Sequence, residues 1–265
     1  MQVVKQYPDG VFSWVDLGTT DIGGAKSFYG GLFGWSFLDL PTDSGTVYSM
    51  AQIDGYDVVG MGPLDPGMQE QGIPPNWIAY VNHSDVDAVA SRAGQAGGNV
   101  LFPPFDVMNS GRMTMIQDPT GAVFGVWQPK EHIGAQLVNI PNTLTWNELQ
   151  THDLDTARQF YAAVFGWTYE VDANGYVVCK AGDRVQAGMM KIEEEMKDIP
   201  PNWTNYFLVS DIEASVAKVT ELGGDVHVPP TSSGEIGKLA VIQDPQGAFF
   251  SLIEYAGPAA PPPGY

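Results

Sequence analysis

Two carboxylates occupy the same local setting at two places in the chain. Asp16 lies two residues after Trp14, and Glu148 lies two residues after Trp146. Side chains alternate along a β-strand, so each carboxylate is expected on the same sheet face as its tryptophan. In a half-closed apolar site the pKa of such a carboxyl group would be raised, which suits an acid–base catalyst. The same group would equally orient a ligand amine or hydroxyl.

A structural role is the alternative for both carboxylates. Arg112 and Lys238 occupy equivalent positions in two later segments and are candidate ion-pair partners for Asp16 and Glu148. A buried ion pair of this kind would belong to the fold and would need no ligand.

Further aromatic residues recur in matching places. Trp77 and Trp203 each follow the sequence Pro-Pro-Asn, and Tyr48 and Tyr176 occupy equivalent predicted strands. Aromatic walls favour stacking on planar, largely apolar ligands, with a few polar groups that fix orientation. The alternative is that these rings are ordinary core residues.

The elements that would position these residues are repeated within the chain. Residues 12–37 align with residues 144–169 without a gap, and ten of the 26 aligned positions are identical. Two further pairs of segments match in the same order: 74–88 with 200–214, and 117–127 with 243–253. The whole chain is therefore two copies of one module, joined near residues 132–143.

Each copy is predicted to contain two units of strand, helix and further strands. In the first copy Phe12–Gly18 is a predicted strand, Asp21 suits the cap of the helix that follows, and Gly34 suits its end. Asp118-Pro-Thr-Gly121 is predicted to form the turn before the last strand. The elements predicted between them are strands at Val47–Ile53, Val58–Gly62 and Trp77–Val81, a helix at Asp85–Ala96, and strands near 99–102, 111–117 and 122–128.

This order of elements resembles the vicinal-oxygen-chelate superfamily, which includes glyoxalase I, the extradiol dioxygenases and the bleomycin- and fosfomycin-resistance proteins. The Phe-Tyr and Phe-Gly-Trp motifs of the first helix and the Asp-Pro-x-Gly turn carry the resemblance. The chain is most similar to the two-module actinobacterial glyoxalase-like type. The resemblance implies an α+β fold of tandem glyoxalase-like modules, residues 1–132 and 133–265, with a flexible Pro-rich tail from about residue 257. Four βαβββ units would form two curved mixed sheets, half-barrel cups with the helices on the convex side.

Relatives that use a metal take its ligands from the strands of these units. The resemblance maps the ligand positions onto Trp14 and Trp146, Gly125 and Ser251, Met61 and Met189, Trp77 or Ile78, and Trp203 or Thr204. None of these is His, Asp or Glu, whereas a transition metal needs several converging N, O or S donors. We therefore expect no metal and no other cofactor. We expect the tryptophans and methionines in these positions to contact a ligand instead.

Other catalytic patterns receive little support. The four histidines, His83, His132, His152 and His227, fall in predicted turns and linkers and are expected at the surface. Cys179, the only cysteine, has no counterpart in the first copy and no neighbouring histidine, which argues against a nucleophile. The glycine pairs do not form a phosphate-binding loop.

Charge and hydropathy limit the compartment and the partners. The chain carries 31 acidic and 12 basic residues, a formal net charge of −19, with no Lys/Arg cluster that would bind nucleic acid. No apolar run is long enough for a membrane span, and the N-terminus lacks the features of a signal peptide. We expect a cytoplasmic protein with no nucleic-acid or membrane partner. We expect a monomer or a weak homodimer, because two copies supply all four units of the fold.

Two functions remain open from the sequence, and a third is disfavoured. The first is a metal-independent, bleomycin-resistance-like protein that binds or sequesters an aromatic, largely apolar small molecule in a Trp-lined cup. The second is a metal-free lyase, isomerase or oxygenase-type enzyme of secondary metabolism in which Asp16 or Glu148 moves a proton. A metal-dependent glyoxalase or dioxygenase is disfavoured by the ligand positions. The fold hosts all three classes and does not choose among them.

Overall fold

The structure, a computed structural model, describes residues 2–42 and 45–260. The elements of the first copy are, in chain order, β1 (Phe12–Thr19), α1 (Ile22–Phe33), β2 (Ser36–Pro41), β3 (Val47–Ile53), β4 (Tyr56–Pro63), α2 (Pro66–Glu70), β5 (Asn76–Asn82), α3 (Val86–Gln95), β6 (Asn99–Val107), β7 (Gly111–Gln117) and β8 (Val123–Pro129).

The second copy repeats this order, with a short 3-10 helix at Glu194–Met196 in place of α2. Its elements are β9 (Leu144–Thr151), α4 (Leu154–Phe165), β10 (Thr168–Val171), β11 (Val177–Ala181), β12 (Arg184–Lys191), β13 (Asn202–Leu208), α5 (Ile212–Glu221), β14 (Asp225–Ser232), β15 (Gly237–Gln243) and β16 (Phe249–Tyr255). The edge strands β2 and β10 and the short helix α2 were not among the elements that the sequence pattern predicted.

Each copy forms one eight-stranded mixed sheet. The strand order is β2-β3-β4-β1-β5-β8-β7-β6 in the first and β10-β11-β12-β9-β13-β16-β15-β14 in the second. The central strands β1 and β5 are antiparallel, whereas each runs parallel to its outer neighbour, β4 or β8. The predicted α+β fold of two tandem modules with curved sheets is confirmed.

The register of β1 on β5 defines two faces of the first sheet. Trp14 pairs with Tyr80 and Asp16 with Ile78, whereas Leu17 pairs with Trp77. Paired residues project to the same side of a sheet, so Asp16 and Leu17 mark opposite faces. We call the side of Asp16 and Trp14 the cup face, and the side of Leu17 the helix face. The irregularity in this pairing lies before Trp14, so the alternation is regular across the site.

Helix α1 shows how the local sequence builds the helix face. The Asp21 side chain accepts a hydrogen bond from the Gly24 amide, and Gly34 ends the helix in the left-handed conformation with φ 72°, as the sequence predicted. The residues α1 buries include Phe28, Tyr29 and Phe33. The same cap and glycine end recur in α4. Both helices therefore begin and end at positions set by their own residues.

Hydrogen bonds cross from each helix to the other copy. The Tyr29 hydroxyl donates to Asp244 Oδ2 (2.9 Å) and accepts from Trp77 Nε1 (3.0 Å). In the equivalent arrangement of the second copy, the Tyr161 hydroxyl donates to Asp118 Oδ2 (2.9 Å) and accepts from Trp203 Nε1 (2.8 Å). The carboxylates belong to the two Asp-Pro-x-Gly turns. The modules are thus interlocked through their helix faces.

The C-terminal segment packs against the second sheet. Ala259, in the predicted flexible tail, packs beside Trp146 and Tyr255 against the second sheet. Residues 261–265 of that tail lie outside the described residues. In the described ranges, no helix is both long enough and apolar enough to cross a membrane.

Candidate ligand-binding site

Asp16 lies at the centre of a hydrogen-bonded group on the first cup face. Its Oδ2 atom accepts from the hydroxyls of Tyr48 (3.3 Å) and Tyr80 (3.2 Å). Trp14 Nε1 donates to the Tyr48 hydroxyl (3.1 Å). Three strands, β1, β3 and β5, therefore supply one polar cluster.

Two glycines make room for this cluster. Gly60 lies opposite Asp16 on β4, and a Cβ atom there would come within 1.7 Å of the Tyr48 hydroxyl. Gly125 lies opposite Tyr80 on β8, and a Cβ atom there would come within 2.1 Å of the Tyr80 ring. The residue at position 125 is small because the Tyr80 ring occupies the space.

The second copy builds the same group around Glu148. Its Oε2 atom accepts from the Tyr176 hydroxyl and its Oε1 atom from the Tyr206 hydroxyl, both at 2.8 Å. Trp146 Nε1 donates to the Tyr176 hydroxyl (3.0 Å). Gly188, opposite Glu148, leaves the space that the Tyr176 hydroxyl fills.

The two carboxylates differ in how fully they are bonded. Glu148 is one methylene longer and reaches one tyrosine with each oxygen, and it is 6% exposed. Both tyrosines of the first copy donate to the same oxygen of Asp16. Within residues 2–42 and 45–260, Asp16 Oδ1 has no hydrogen-bond donor, and Asp16 is partly exposed. The first cup therefore offers a carboxylate oxygen to a ligand, and the second does not.

Burial sets the protonation of this group. It raises the pKa of Asp16 to about 6, although the hydrogen bonds from Tyr80 and Tyr48 act in the opposite direction. It also raises the pKa of Glu148. Burial and the neighbouring carboxylate raise the pKa of Tyr48 and of Tyr80 well above its ordinary value. Both hydroxyls consequently remain protonated donors.

The predicted ion pairs with these carboxylates do not form. Arg112 pairs with Asp87 (2.9 Å) and also contacts Asp106 (3.7 Å). Lys238 pairs with Glu213 (2.6 Å). Because both cations are engaged elsewhere, the structural ion-pair alternative for Asp16 and Glu148 was wrong.

A cavity of about 710 Å³ lies above Asp16 on the first cup face. Tyr48 and Tyr80 line it beside the carboxylate. The facing wall comes from β6 and β7 and is apolar, with Phe102 and Phe105 43% and 44% exposed. Met113 and Met115 complete this wall, and the register pairs them with the two phenylalanines. The volume and lining are those of a site for a drug-sized molecule.

The wall is reduced in the second copy. Val228, Thr231, Leu239 and Val241 stand where the first copy has Phe102, Phe105, Met113 and Met115. On this cup face Tyr206 and Leu239 pack together with Trp146 and Ala259. A smaller pocket of about 270 Å³ lies beside Trp146 and the C-terminal segment, and Glu148 does not line it.

Known proteins share this architecture. The family model for the Glyoxalase/Bleomycin resistance protein/Dioxygenase superfamily matches residues 11–126 and 141–252. The chain belongs to this superfamily. It is 46% identical over 257 residues to "Putative glyoxylase CFP32" of Mycobacterium tuberculosis, covering 95% of this chain and 97% of that protein. It is 34% identical over 272 residues to "Anthracycline biosynthesis protein DauV" of Streptomyces sp. (strain C5), covering 97% and 98%.

Solved structures in the superfamily share the fold at low identity. The Mn(II)-bound glyoxalase from Novosphingobium aromaticivorans aligns with a TM-score of 0.65 and 15% identity, covering 96% of this chain and 84% of that one. The 2,3-dioxygenase LapB from Pseudomonas sp. KL28 aligns with a TM-score of 0.64 and 14% identity, covering 100% and 96%. At this level of identity, the likeness shows the fold alone.

Four of the predicted ligand contacts lie on the helix face instead. Trp77 and Met61 both pair with Leu17, so they project away from Asp16. In the second copy Trp203 and Met189 both pair with Leu149, one residue from Glu148. All four are at most 6% exposed, yet Trp77 and Trp203 are among the residues that line the large cavity, whereas Met61 and Met189 are not. The expected position of Met61 and Met189 inside the cups was wrong, because strand alternation turns them toward the helices. A ligand contact of Trp77 and Trp203 stays a prediction.

Trp14 supports the site without lining its cavity. It is 4% exposed, lies outside the residues that line the large cavity, and packs edge-on against His132 with ring centroids 4.5 Å apart. His132 was expected at the surface, but it is partly buried and its carbonyl accepts from Trp127 Nε1 (2.8 Å). The linker after β8 thus packs against Trp14, outside the large cavity.

The sequence interpretation did not identify Tyr80 and Tyr206 as site residues. Each stands three residues after the tryptophan of the Pro-Pro-Asn-Trp segment, in both copies. The recurrence of this spacing was the available signal. An odd spacing in a strand places the tyrosine on the face opposite the tryptophan, which is the cup face.

The cup residues do not fit the transition metal that other members of the superfamily bind. They offer one carboxylate and two protonated phenols, and a metal of this type needs several anionic or imidazole donors. In the described part of the chain, the acidic group with metal-like spacing is Asp211, Glu213 and Glu254. Asp211 and Glu254 accept hydrogen bonds from backbone amides of α5, and Glu213 pairs with a lysine. These acids cap a helix outside the cup.

Proposed function

We propose that the first cup binds a planar aromatic, largely apolar small molecule and holds it without a metal. One observation carries this proposal: a largely apolar cavity of about 710 Å³ is lined by Asp16, whose Oδ1 atom accepts no hydrogen bond within the described residues. The rings of Phe102 and Phe105 are available for stacking on a flat ligand. The carboxylate would fix the orientation of that ligand.

The named relatives support the chemical class of the ligand. Two of them are called anthracycline biosynthesis proteins, DauV and, at 33% identity, DnrV of Streptomyces peucetius. Anthracyclines are planar polycyclic aromatic molecules, the shape that the aromatic wall suits.

We assign binding to the first module and a structural role to the Glu148 group. Glu148 has both oxygens bonded, and the wall residues of its cup are smaller. A group that is already fully bonded gains little from a ligand and loses hydrogen bonds if it turns toward one.

Anthraquinone, a planar tricyclic probe, tests the proposal by quenching of tryptophan fluorescence. Trp77 and Trp203 border the cavity and would report its occupancy. We expect Phe105→Ala to weaken binding by roughly tenfold, because it removes stacking area worth about 1–2 kcal/mol. The matched control is Thr231→Ala, at the equivalent position of the second copy, which should leave binding unchanged. Binding that is absent, or that depends equally on both positions, would refute the assignment.

A second function, proton transfer by Asp16, has one observation in its favour. Burial raises the pKa of Asp16 to about 6, near the neutral pH at which a general base works best. Mass spectrometry of the recovered ligand separates the two functions. A binding protein returns the ligand unchanged, whereas an enzyme returns an isomer, a cleaved or an oxygenated product. If Asp16→Asn keeps the affinity for the ligand and abolishes such a conversion, the protein is an enzyme that uses Asp16 for proton transfer.

A further inference from the structure

The charged groups around the large cavity are all acidic. Asp16 and Asp65 line it, and among the described lining residues there is no Lys, Arg or His. The structure gives Asp16 no ion pair in the described ranges. The carboxylate consequently faces an apolar space with its charge uncompensated.

The hydroxyl donors beside Asp16 are already engaged. The hydroxyls of Tyr48 and Tyr80 donate to Asp16. The side-chain amides of Asn76 and Asn202 each use one N–H to donate to the backbone carbonyl two residues earlier. Besides the exposed carboxylate of Asp65, what the cavity leaves for a ligand is the acceptor Asp16 Oδ1.

The charges and hydrogen-bonding groups of the cavity distinguish among ligands of the same shape. An anionic ligand would place a second negative charge beside Asp16 without a cation to offset it. A purely apolar ligand would bury Asp16 Oδ1 without a partner, which costs on the order of a factor of ten in affinity. An ammonium group would neutralise the carboxylate and lie near the faces of aromatic rings that line the same space. The net charge of −19 favours the approach of cations.

We infer that the first cup is selective for planar aromatic molecules that carry a protonated amine, and that the ammonium donates to Asp16 Oδ1. The inference rests on the proposed binding function and specifies its ligand class. Asp16 is then the residue that determines specificity, while the apolar wall supplies shape.

Four anthracene derivatives test this selectivity. They carry a methylammonium, hydroxymethyl, methyl or carboxylate substituent at the same ring position, and their affinities for the full chain are measured by calorimetry at pH 8. We expect the ammonium compound to bind about tenfold more tightly than the methyl compound, the hydroxymethyl compound to lie between them, and the carboxylate to bind most weakly. Asp16→Asn should abolish the preference for the ammonium and leave the methyl compound bound. Glu148→Gln, the same change in the other cup, should leave the order unaltered.

The outcomes separate this inference from the function beneath it. If none of the four compounds binds, the proposed function itself fails. If all four bind with equal affinity, the cup binds aromatics but the selectivity is overturned. The selectivity is also overturned if the carboxylate binds best, or if the ammonium preference survives in Asp16→Asn. As a further readout, the preference should shrink as the pH falls below about 6, because Asp16 then becomes neutral.

Discussion

The Tyr48 hydroxyl occupies the space above Gly60, 1.7 Å from where a Cβ atom would stand at that position. A side chain there would displace the tyrosine from Asp16 and from Trp14. We expect Gly60→Ala to destabilise the fold by about 1–3 kcal/mol and to weaken the binding of aromatic ligands. Urea denaturation and fluorescence titration measure the two effects.

Gly188→Ala is the matched substitution in the second copy, where a Cβ atom would come within 1.8 Å of the Tyr176 hydroxyl. It should destabilise the fold to a similar extent, because the geometry is the same. Ligand affinity should remain at the wild-type value, since neither Gly188 nor Tyr176 lines the large cavity. Equal losses of affinity in the two variants would contradict the assignment of binding to the first cup.

The pH dependence of stability should reveal the buried carboxylate. The folded-state pKa of Asp16 is raised from 3.8 to about 6, so its contribution to stability is full below pH 4 and is lost as the pH rises through about 6. Asp16→Asn removes this loss and should stabilise the protein at pH 8 by up to about 2–3 kcal/mol. At pH 4 the variant and the wild type should be equally stable. The measurement is denaturant unfolding at both values of pH.

Asp39 provides a control of opposite sign for that experiment. Hydrogen bonds from Lys26 and Ser49 lower its pKa, so its contribution is present above its ordinary pKa and is lost as the pH falls. Asp39→Asn should not stabilise the protein at pH 8. A stabilised Asp39→Asn, or an Asp16→Asn variant that is destabilised at pH 8, would contradict the assignment of the pH dependence to burial of Asp16.

The hydrogen bonds that cross between the modules should stabilise the fold without affecting the ligand. Tyr29→Phe leaves Asp244 Oδ2 and Trp77 Nε1 without their partner, which should cost about 1–3 kcal/mol of unfolding free energy. Tyr161→Phe should lower the unfolding free energy by a similar amount, because it removes the equivalent hydrogen bonds to Asp118 and Trp203. Affinity for anthraquinone should be retained in both. If either variant proved as stable as the wild type, the interlock would contribute nothing at that site.

Metal content provides a test that is independent of any ligand. Because the cup offers one carboxylate and two protonated phenols, we expect no stoichiometric transition metal after chelator-free purification. Elemental analysis makes the measurement. About one equivalent of zinc, iron, nickel or manganese per chain would show that the donor set had been misjudged.

Local sequence determined most of the elements and their order, with the edge strands β2 and β10 and the short helix α2 as the exceptions. Asp21 and Gly34 mark the ends of α1 because a cap and a left-handed turn depend on the residues that form them. The repeat gave the two modules, and strand alternation placed Asp16 beside Trp14, because the side-chain period of a strand is a local property.

Tertiary structure decided what the carboxylates contact. Alternation says which residues share a face but not which face meets the helices, so Met61 was expected in a cup from which the register of β1 with β4 turns it away. The difference between Asp16 and Glu148 is one methylene in the sequence. Because of that difference, one oxygen of Asp16 has no donor in the first cup, whereas both oxygens of Glu148 accept hydrogen bonds in the second. This outcome depends on tyrosines from two other strands that stand at fixed distances from β1 and β9. Such distances arise from the pairing of segments far apart in the chain, which no local pattern specifies.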